Sequence, residues 1–447
     1  MIVKTNSSGF VTKIIRALVF LLVFSFWLPE LRVSFKGFFY PPPSLELGYR
    51  VGLPWVYEII IITISLFLIF GILNREIHLK NDWFFKFVWW MTCIALFVVP
   101  LSRFFELQEG DAAFGHLRVT LESLALFLVV SHINWRKKDL WLIIILFIGG
   151  TVFNALIAIL ATYTPGLLFL PANLIPQAEY FQVAGLFSQP SRQSLFLSMG
   201  FILGASLLVN RESSVLSPIQ VIGLMFLISV LSIGMALAQI RTSYVSIPLA
   251  LLLSYWSNRS ELRSRMTSIV FIFSILIIVV LIWEFTNVLP VALNRITGFQ
   301  FREQFMETRG LVWLFSAQII LKYPFGTGYD AIGYIARPVV GFEMTHAHNL
   351  FLHWAVMFGL PGLILLLYFI IRLYRDTNNL LISAKVEKNR IILVIISPIT
   401  LFLLSGMTES FFITNSGIWF WLFAGLVVSS IRRSSECLRF DKKGAIL

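Results

Sequence analysis

The sequence predicts an all-α fold: a polytopic membrane bundle of about twelve spanning helices with one large extramembrane loop that contains an amphipathic helix. Three observations predict it. Hydrophobic residues make up 58% of the 447 and charged residues only 13%, with a mean hydropathy of +0.84, a balance that excludes a soluble globular domain. Apolar windows of about 20 residues, the length that crosses roughly 30 Å of hydrocarbon, recur from end to end with little between them. Lys and Arg gather in alternate connections.

Taken in order, the windows fall near 14–30, 52–74, 83–102, 115–134, 139–163, 193–210, 217–239, 242–257, 267–287, 347–371, 391–408 and 414–431. The first follows a basic start, but no small-residue cleavage site follows 17–29, so it reads as a retained span and not a secretory signal. With the N-terminus inside, the inner connections and tail hold twenty-two Lys and Arg, from Lys4, Lys13 and Arg16 to Arg439, Lys442 and Lys443, and the outer ones hold eleven. Cytoplasmic connections retain positive charge during insertion, so both termini are placed in the cytoplasm. The net charge of +12 follows from this topology and an anionic lipid surface, and gives no reason to expect nucleic-acid binding. Cys93 lies in a span and Cys437 in the inner tail, so no disulfide is expected. The stretch 372–390 is polar and reads as a short surface helix or loop.

Two outer connections exceed the rest in length, and long loops tend to carry function. The first, 164–192, ends in Gly185-Leu186-Phe187-Ser188-Gln189-Pro190-Ser191-Arg192 and re-enters the membrane. The second, 286–346, spaces Phe305, Leu311, Trp313, Leu314 and Ile319 among polar residues, a helical pattern that predicts an amphipathic helix lying over the bundle. Tyr323-Pro324-Phe325-Gly326-Thr327-Gly328-Tyr329 ends that helix in a turn.

The most informative stretch is His346-Ala347-His348-Asn349, followed after nine positions by Gly359-Leu360-Pro361-Gly362, at the mouth of a span. A histidine titrates near neutral pH and can move a proton, and a Gly-rich run lets a membrane helix bend or pack closely. His348 is the candidate base; the plainer alternative is a helix entrance capped by His348 and Asn349. His346 is the weaker candidate, since two residues apart on a helix it would point elsewhere, and His353 reads as packed between helices. A metal held by His346 and His348 would need a further ligand, for which Glu343, Asp330 or Glu409 are available; no ligand-spaced motif supports it, and no metal is expected. Outer-face cations complete the picture. Arg241, in Gln239-Ile240-Arg241-Thr242-Ser243, is held near the interface between two spans, as a ligand or as a snorkelling anchor. Arg192 sits at a similar depth, and Arg309, with Arg295 and Arg302 upstream, lies on the loop helix. Together these cations suit a phosphate or diphosphate.

From Gly185 to Leu367 the chain resembles the bacterial superfamily of O-antigen ligases, O-antigen polymerases and O-linked oligosaccharyltransferases. The resemblance rests on His348-Asn349 with Gly359 and Gly362, on Arg309 with Trp313 and Pro324-Phe325-Gly326-Thr327-Gly328, on Arg241, and on the 185–193 loop. It implies inverting, metal-independent transfer of a glycan from undecaprenyl pyrophosphate to an acceptor hydroxyl, at the periplasmic face of the bacterial inner membrane, without a cofactor. His348, Arg241 and Arg309 would be catalytic, and Arg192, Gln189, Asn349 and His346 substrate-binding. Three regions follow: 1–184, the N-terminal spans and first long loop; 185–371, the catalytic region with loop 286–346; and 372–447, the last two spans and basic tail. The spacing of His348 and the glycines favours a ligase with lipid A-core as acceptor. A polymerase joining lipid-linked glycans comes next, then a protein O-oligosaccharyltransferase. A lipid-linked glycan transporter is the alternative of a different class; it expects unusual residues deep in several spans, whereas here they gather on one side.

Overall fold

The computed structural model describes residues 9–27, 56–104, 110–163, 173–177, 180–187, 189–209, 217–238, 241–256, 300–328, 346–383, 390–409 and 416–444. Along the chain come α1 (Phe10–Ser25), α2 (Val56–Leu73), α3 (Trp83–Phe104), α4 (Gly110–His132), α5 (Lys137–Tyr163), β1 (Asn173–Gln177), β2 (Tyr180–Gly185), α6 (Pro190–Val209), α7 (Pro218–Ala238) and α8 (Arg241–Trp256). Then follow α9 (Gln300–Lys322), α10 (Leu350–Ser383), α11 (Arg390–Ser405) and α12 (Gly417–Gly444). Among the described residues, five helices are long and apolar enough to cross a membrane: α2, α5, α6, α7 and α10. Shorter apolar stretches lie in α3, α8 and α11. The expected span at 267–287 falls outside the described residues.

The helices pack as a bundle around an aromatic interior. Phe369 of α10 stacks on Phe87 of α3 at 4.4 Å between ring centroids, and Trp421 of α12 meets both rings at 5.5 and 5.8 Å. A second group joins Phe147 of α5, Phe196 of α6 and Trp419 of α12. Large rings give these helices much of the close packing that must hold membrane helices together where the hydrophobic effect between them is absent. Hydroxyls add interhelical bonds, as between Ser206 and Ser397 (2.9 Å) and between Tyr374 and Thr400 (2.6 Å).

Two sets of polar contacts mark the two ends of the bundle. At one, the clasp end, Asp82 before α3 receives both Nε and Nη2 of Arg432 in α12, at 2.6 and 2.7 Å. Arg432 also donates to the Ser131 carbonyl at the end of α4 (2.9 Å), and Arg16 of α1 meets Asp139 of α5. The other, the mouth end, joins the starts of α8 and α10 to the connection after α11. From α10 to α12 the direction alternates: α10 starts at the mouth end, α11 ends there, and α12 carries Arg432 to the clasp end.

Three features differ from the sequence expectation. The stretch 372–390 continues α10 in helical form as far as Ser383, because Arg372 and Asp376 pair one turn apart (2.8 Å) and no Gly or Pro intervenes. Part of the first long connection forms a hairpin, with Leu174 opposite Val183 and Gln177 opposite Tyr180, packed on α5, α6 and α7. The loop helix α9 does not lie across the bundle but runs beside α10. Its buried stripe is Val312, Ser316, Ile319 and Ile320, while Leu311, Leu314 and Leu321 face outward, so both sides of this segment are apolar.

What fixes α9 there is a break in α10. Gly359 has φ 70° and ψ −176°, outside helical values, and Pro361 has no N–H to give to Met357. The carbonyls this frees are taken by the turn after α9: Thr327 N donates to Val356 O (2.8 Å) and Gly328 N to Met357 O (3.1 Å). In return Leu360 N donates to Pro324 O at 2.8 Å. A Cβ on Gly359 would stand 2.4 Å from Pro324 O, and one on Gly326 2.5 Å from Met357 O. Nine residues of rise, about 14 Å, separate Leu350 from the break, roughly half the hydrocarbon thickness. Irregular backbone at that depth survives because each segment satisfies the other.

Candidate active site

The mouth of α10 is built by its N-cap. Asn349 Oδ1 accepts from the backbone N–H of Phe351 and of Leu352, both at 3.0 Å, which satisfies two of the donors a helix start leaves open. Its Nδ2 donates to Met407 O (3.0 Å), and Leu350 N donates to Gly406 O (2.6 Å), tying the helix start to the connection after α11. Asn349 thus fills the capping role that the sequence offered as the plainer alternative. His353, buried as expected, accepts from Ala347 N at Nδ1 (3.3 Å) and closes the turn from inside.

Because the helix begins only at Leu350, the residues before it are not bound to helical spacing. His348 has φ 47°, a left-handed conformation uncommon outside glycine, held by the anchored residues that follow it. The bend brings His346 and His348 together, ring centroids 4.1 Å apart, where helical spacing would have separated them. That corrects the expectation that His346 points elsewhere.

Both rings face Glu409 on the connection after α11. Its Oε2 lies 3.5 Å from His348 Nδ1 and 3.9 Å from His346 Nε2, and its Oε1 lies 3.5 Å from Arg309 Nη2. Arg309 Nη1 donates to the Thr408 carbonyl (3.3 Å), and the Thr408 hydroxyl donates to that of Thr242 (3.1 Å), the residue after Arg241 at the start of α8. The backbone of Arg241 therefore opens onto the same place; its side chain lies outside the described residues. Arg192, in the first turn of α6, is near enough for its charge to act on His346. Gln189 is the exposed residue before that helix, and its carbonyl accepts from Gln193 N (3.3 Å).

Burial foremost, and then the neighbouring His348, push the His346 pKa down to about 4, with Arg192 and Arg309 acting in the same sense and Glu409 against them. For Glu409 burial acts upward, but contact with His348 and the charges of Arg309 and His346 prevail and hold the carboxyl below its ordinary value. One carboxylate thus faces two imidazoles and a guanidinium. The nearest donor atoms of His346, His348 and Glu409 lie within 4.8 Å of one another, close enough to hold a cation. Arg309 on the same carboxylate, with Arg192 nearby, works against a divalent ion and in favour of an anion.

Glu409 is the residue that sequence reasoning undervalued, naming it only as a possible metal ligand. It sits in Thr408-Glu409-Ser410, in no spaced motif; its signal was an acid at an interhelical connection on the side where the cations gather.

Residues 224–367, about a third of the chain, match the model of a family described as O-antigen ligase. The match takes in Arg241, α9 with its turn, both histidines and the break in α10, and ends before Glu409. No curated protein matches the sequence.

Proposed function

We infer, supported by the match of residues 224–367 to an O-antigen ligase family, that the chain transfers a glycan from a polyprenyl diphosphate to an acceptor hydroxyl. The observation that carries this reading is the convergence of Arg309, His346, His348 and Glu409 at the mouth of α10, with Arg192 and the start of α8 beside them. Arg309, Arg241 and Arg192 hold the diphosphate of the donor. His348 takes the proton of the acceptor hydroxyl as its oxygen attacks the anomeric carbon; the bond from that carbon to the diphosphate oxygen breaks, and the electron pair leaves on the diphosphate. Attack opposite the leaving group inverts the anomeric centre. Guanidiniums placed for the leaving group stabilise charge that grows toward the transition state, which lowers the barrier more than equal binding of both states would.

No step of this scheme calls for a metal, and the arginines supply the positive charge one would bring. The mouth end faces the periplasm of a bacterial inner membrane, the clasp end and both termini the cytoplasm. Region 185–371 is the catalytic one, with undecaprenyl diphosphate as carrier and lipid A-core as the first-choice acceptor.

The test compares surface polysaccharide in cells that carry His348→Ala, Arg241→Ala or Arg309→Ala at equal protein level. Loss of polymer attachment in each is the expected result; normal polysaccharide in all three would remove the reading. Deletion separates the acceptors. Full-length polymer left on its lipid carrier marks a ligase, and a single repeat unit on the core marks a polymerase. Donor retained on the inner side would mark a transporter.

A further inference from the structure

The proposed reaction gives Arg309 to the leaving group and His348 to the nucleophile, and a single carboxylate faces both. Its two oxygens are divided: Oε1 toward Arg309 Nη2 at 3.5 Å, Oε2 toward His348 Nδ1 at 3.5 Å and His346 Nε2 at 3.9 Å. Charge-assisted hydrogen bonds close at about 2.7–2.9 Å, so none of these contacts is drawn tight. We propose, resting on the function above, that Glu409 is a positioning residue that stands in for the donor diphosphate: it holds Arg309 until the diphosphate takes the guanidinium, and thereafter serves His348 alone.

The exchange has a clear direction. A diphosphate carries more charge than a carboxylate and offers more oxygens to a planar fork of donors, so it takes Arg309 in preference. Glu409 cannot follow the guanidinium, because its neighbours hold it: Thr408 is bonded to Thr242, and Met407 and Gly406 to Asn349 and Leu350. It stays beside the imidazoles. A carboxylate facing Nδ1 favours the tautomer with the proton there, which leaves Nε2 open to the acceptor hydroxyl, and it stabilises the imidazolium once that proton has moved. Glu409 thereby opposes donor binding and assists the chemical step. A residue that merely supports the fold has no reason to affect the two in opposite directions.

The experiment uses the full chain in lipid nanodiscs, with a polyprenyl-diphosphate glycan as donor and inorganic pyrophosphate as binding probe. Glu409→Gln keeps the shape and removes the charge. The expected result is a kcat lowered by at least about tenfold, with pyrophosphate bound about two- to fivefold more tightly as the competing ion pair is lost. Glu409→Asp, which keeps the charge on a shorter arm, recovers part of the kcat and is read alone if the Gln variant does not fold. Weaker pyrophosphate binding together with lower kcat and a lower melting temperature would reduce Glu409 to a structural role and overturn the proposal. So would an unchanged kcat, or wild-type activity abolished by a chelator and restored by a divalent cation. If His348→Ala and Arg309→Ala are inactive while Glu409→Gln transfers normally, this inference alone fails; if those two remain active, the function itself fails.

Discussion

Each end of the bundle sets a carboxylate against an arginine, and the two pairs differ in how far they are closed. At the clasp end Asp82 receives two nitrogens of Arg432 at 2.6 and 2.7 Å, and the Arg432 side chain is 6% exposed, with further bonds to Ser131. Burial acts upward on Asp82, yet the bonds and charge of Arg432 prevail and hold it below its ordinary value. At the mouth end Glu409 faces Arg309, His348 and His346, none closer than 3.5 Å. A closed fork fastens α3, α4 and α12 together. An open carboxylate with three partners leaves guanidinium and imidazole able to meet something else.

The comparison breaks most sharply if mutation at the mouth leaves transfer intact. His348→Ala is expected to lower transfer about 10²–10⁴-fold, the usual worth of a general base, with no change in melting temperature. Arg309→Ala should cost about 10²–10³-fold, the scale of one lost donor to a developing anion. Product formation by the purified full chain checks both. Between the two ends, Gly359→Ala imposes a positive φ and a 2.4 Å clash with Pro324 O, so the yield of folded protein should fall, by several kcal/mol of stability, on the order of strain plus overpacking. Detergent melting curves test it.

At the clasp end Arg432→Ala should cost about 2 kcal/mol, less than the roughly 3–5 of a fully buried pair because Asp82 is 34% exposed. Activity per folded molecule should stay the same; a fall in activity without a fall in stability would erase the distinction between the ends. Asn349→Ala is smaller, about 1 kcal/mol for a lost N-cap, with a rise in donor KM as the mouth loosens. Acid acts at the same end of the bundle. His346 is lowered from 6.5 to about 4, so the unfolded chain takes up this proton first, and stability falls as pH drops from 6.5 toward 4. Hydrogen exchange at residues 346–350 should report that loosening ahead of the clasp end.

The sequence makes the bundle legible because hydrocarbon demands runs of apolar residues, and the helices found follow those windows closely. It misplaced what depends on contacts between distant segments. The break at Gly359 was readable as a place to bend, but its partner, the turn after α9, was not, because reciprocal bonding of 324–328 with 356–360 leaves no local pattern. For the same reason α9 reads as a helix lying over the bundle: Leu311 and Leu314 satisfy a helical spacing, and only the packing shows that Val312, Ser316 and Ile319 form the buried stripe. At the mouth, His348 and Arg309 stood out by residue type. His346 was misjudged because a helix was assumed where Asn349 delays it. Glu409, 61 residues after His348, has no spacing that could announce it.

Most direct is transfer of a glycan from a polyprenyl-diphosphate donor by the full chain in nanodiscs, measured beside pyrophosphate binding for wild type, His348→Ala and Arg309→Ala. The account predicts that both variants lose transfer by at least about 100-fold, while pyrophosphate binding weakens only in Arg309→Ala. Transfer at the wild-type rate by both variants would contradict it.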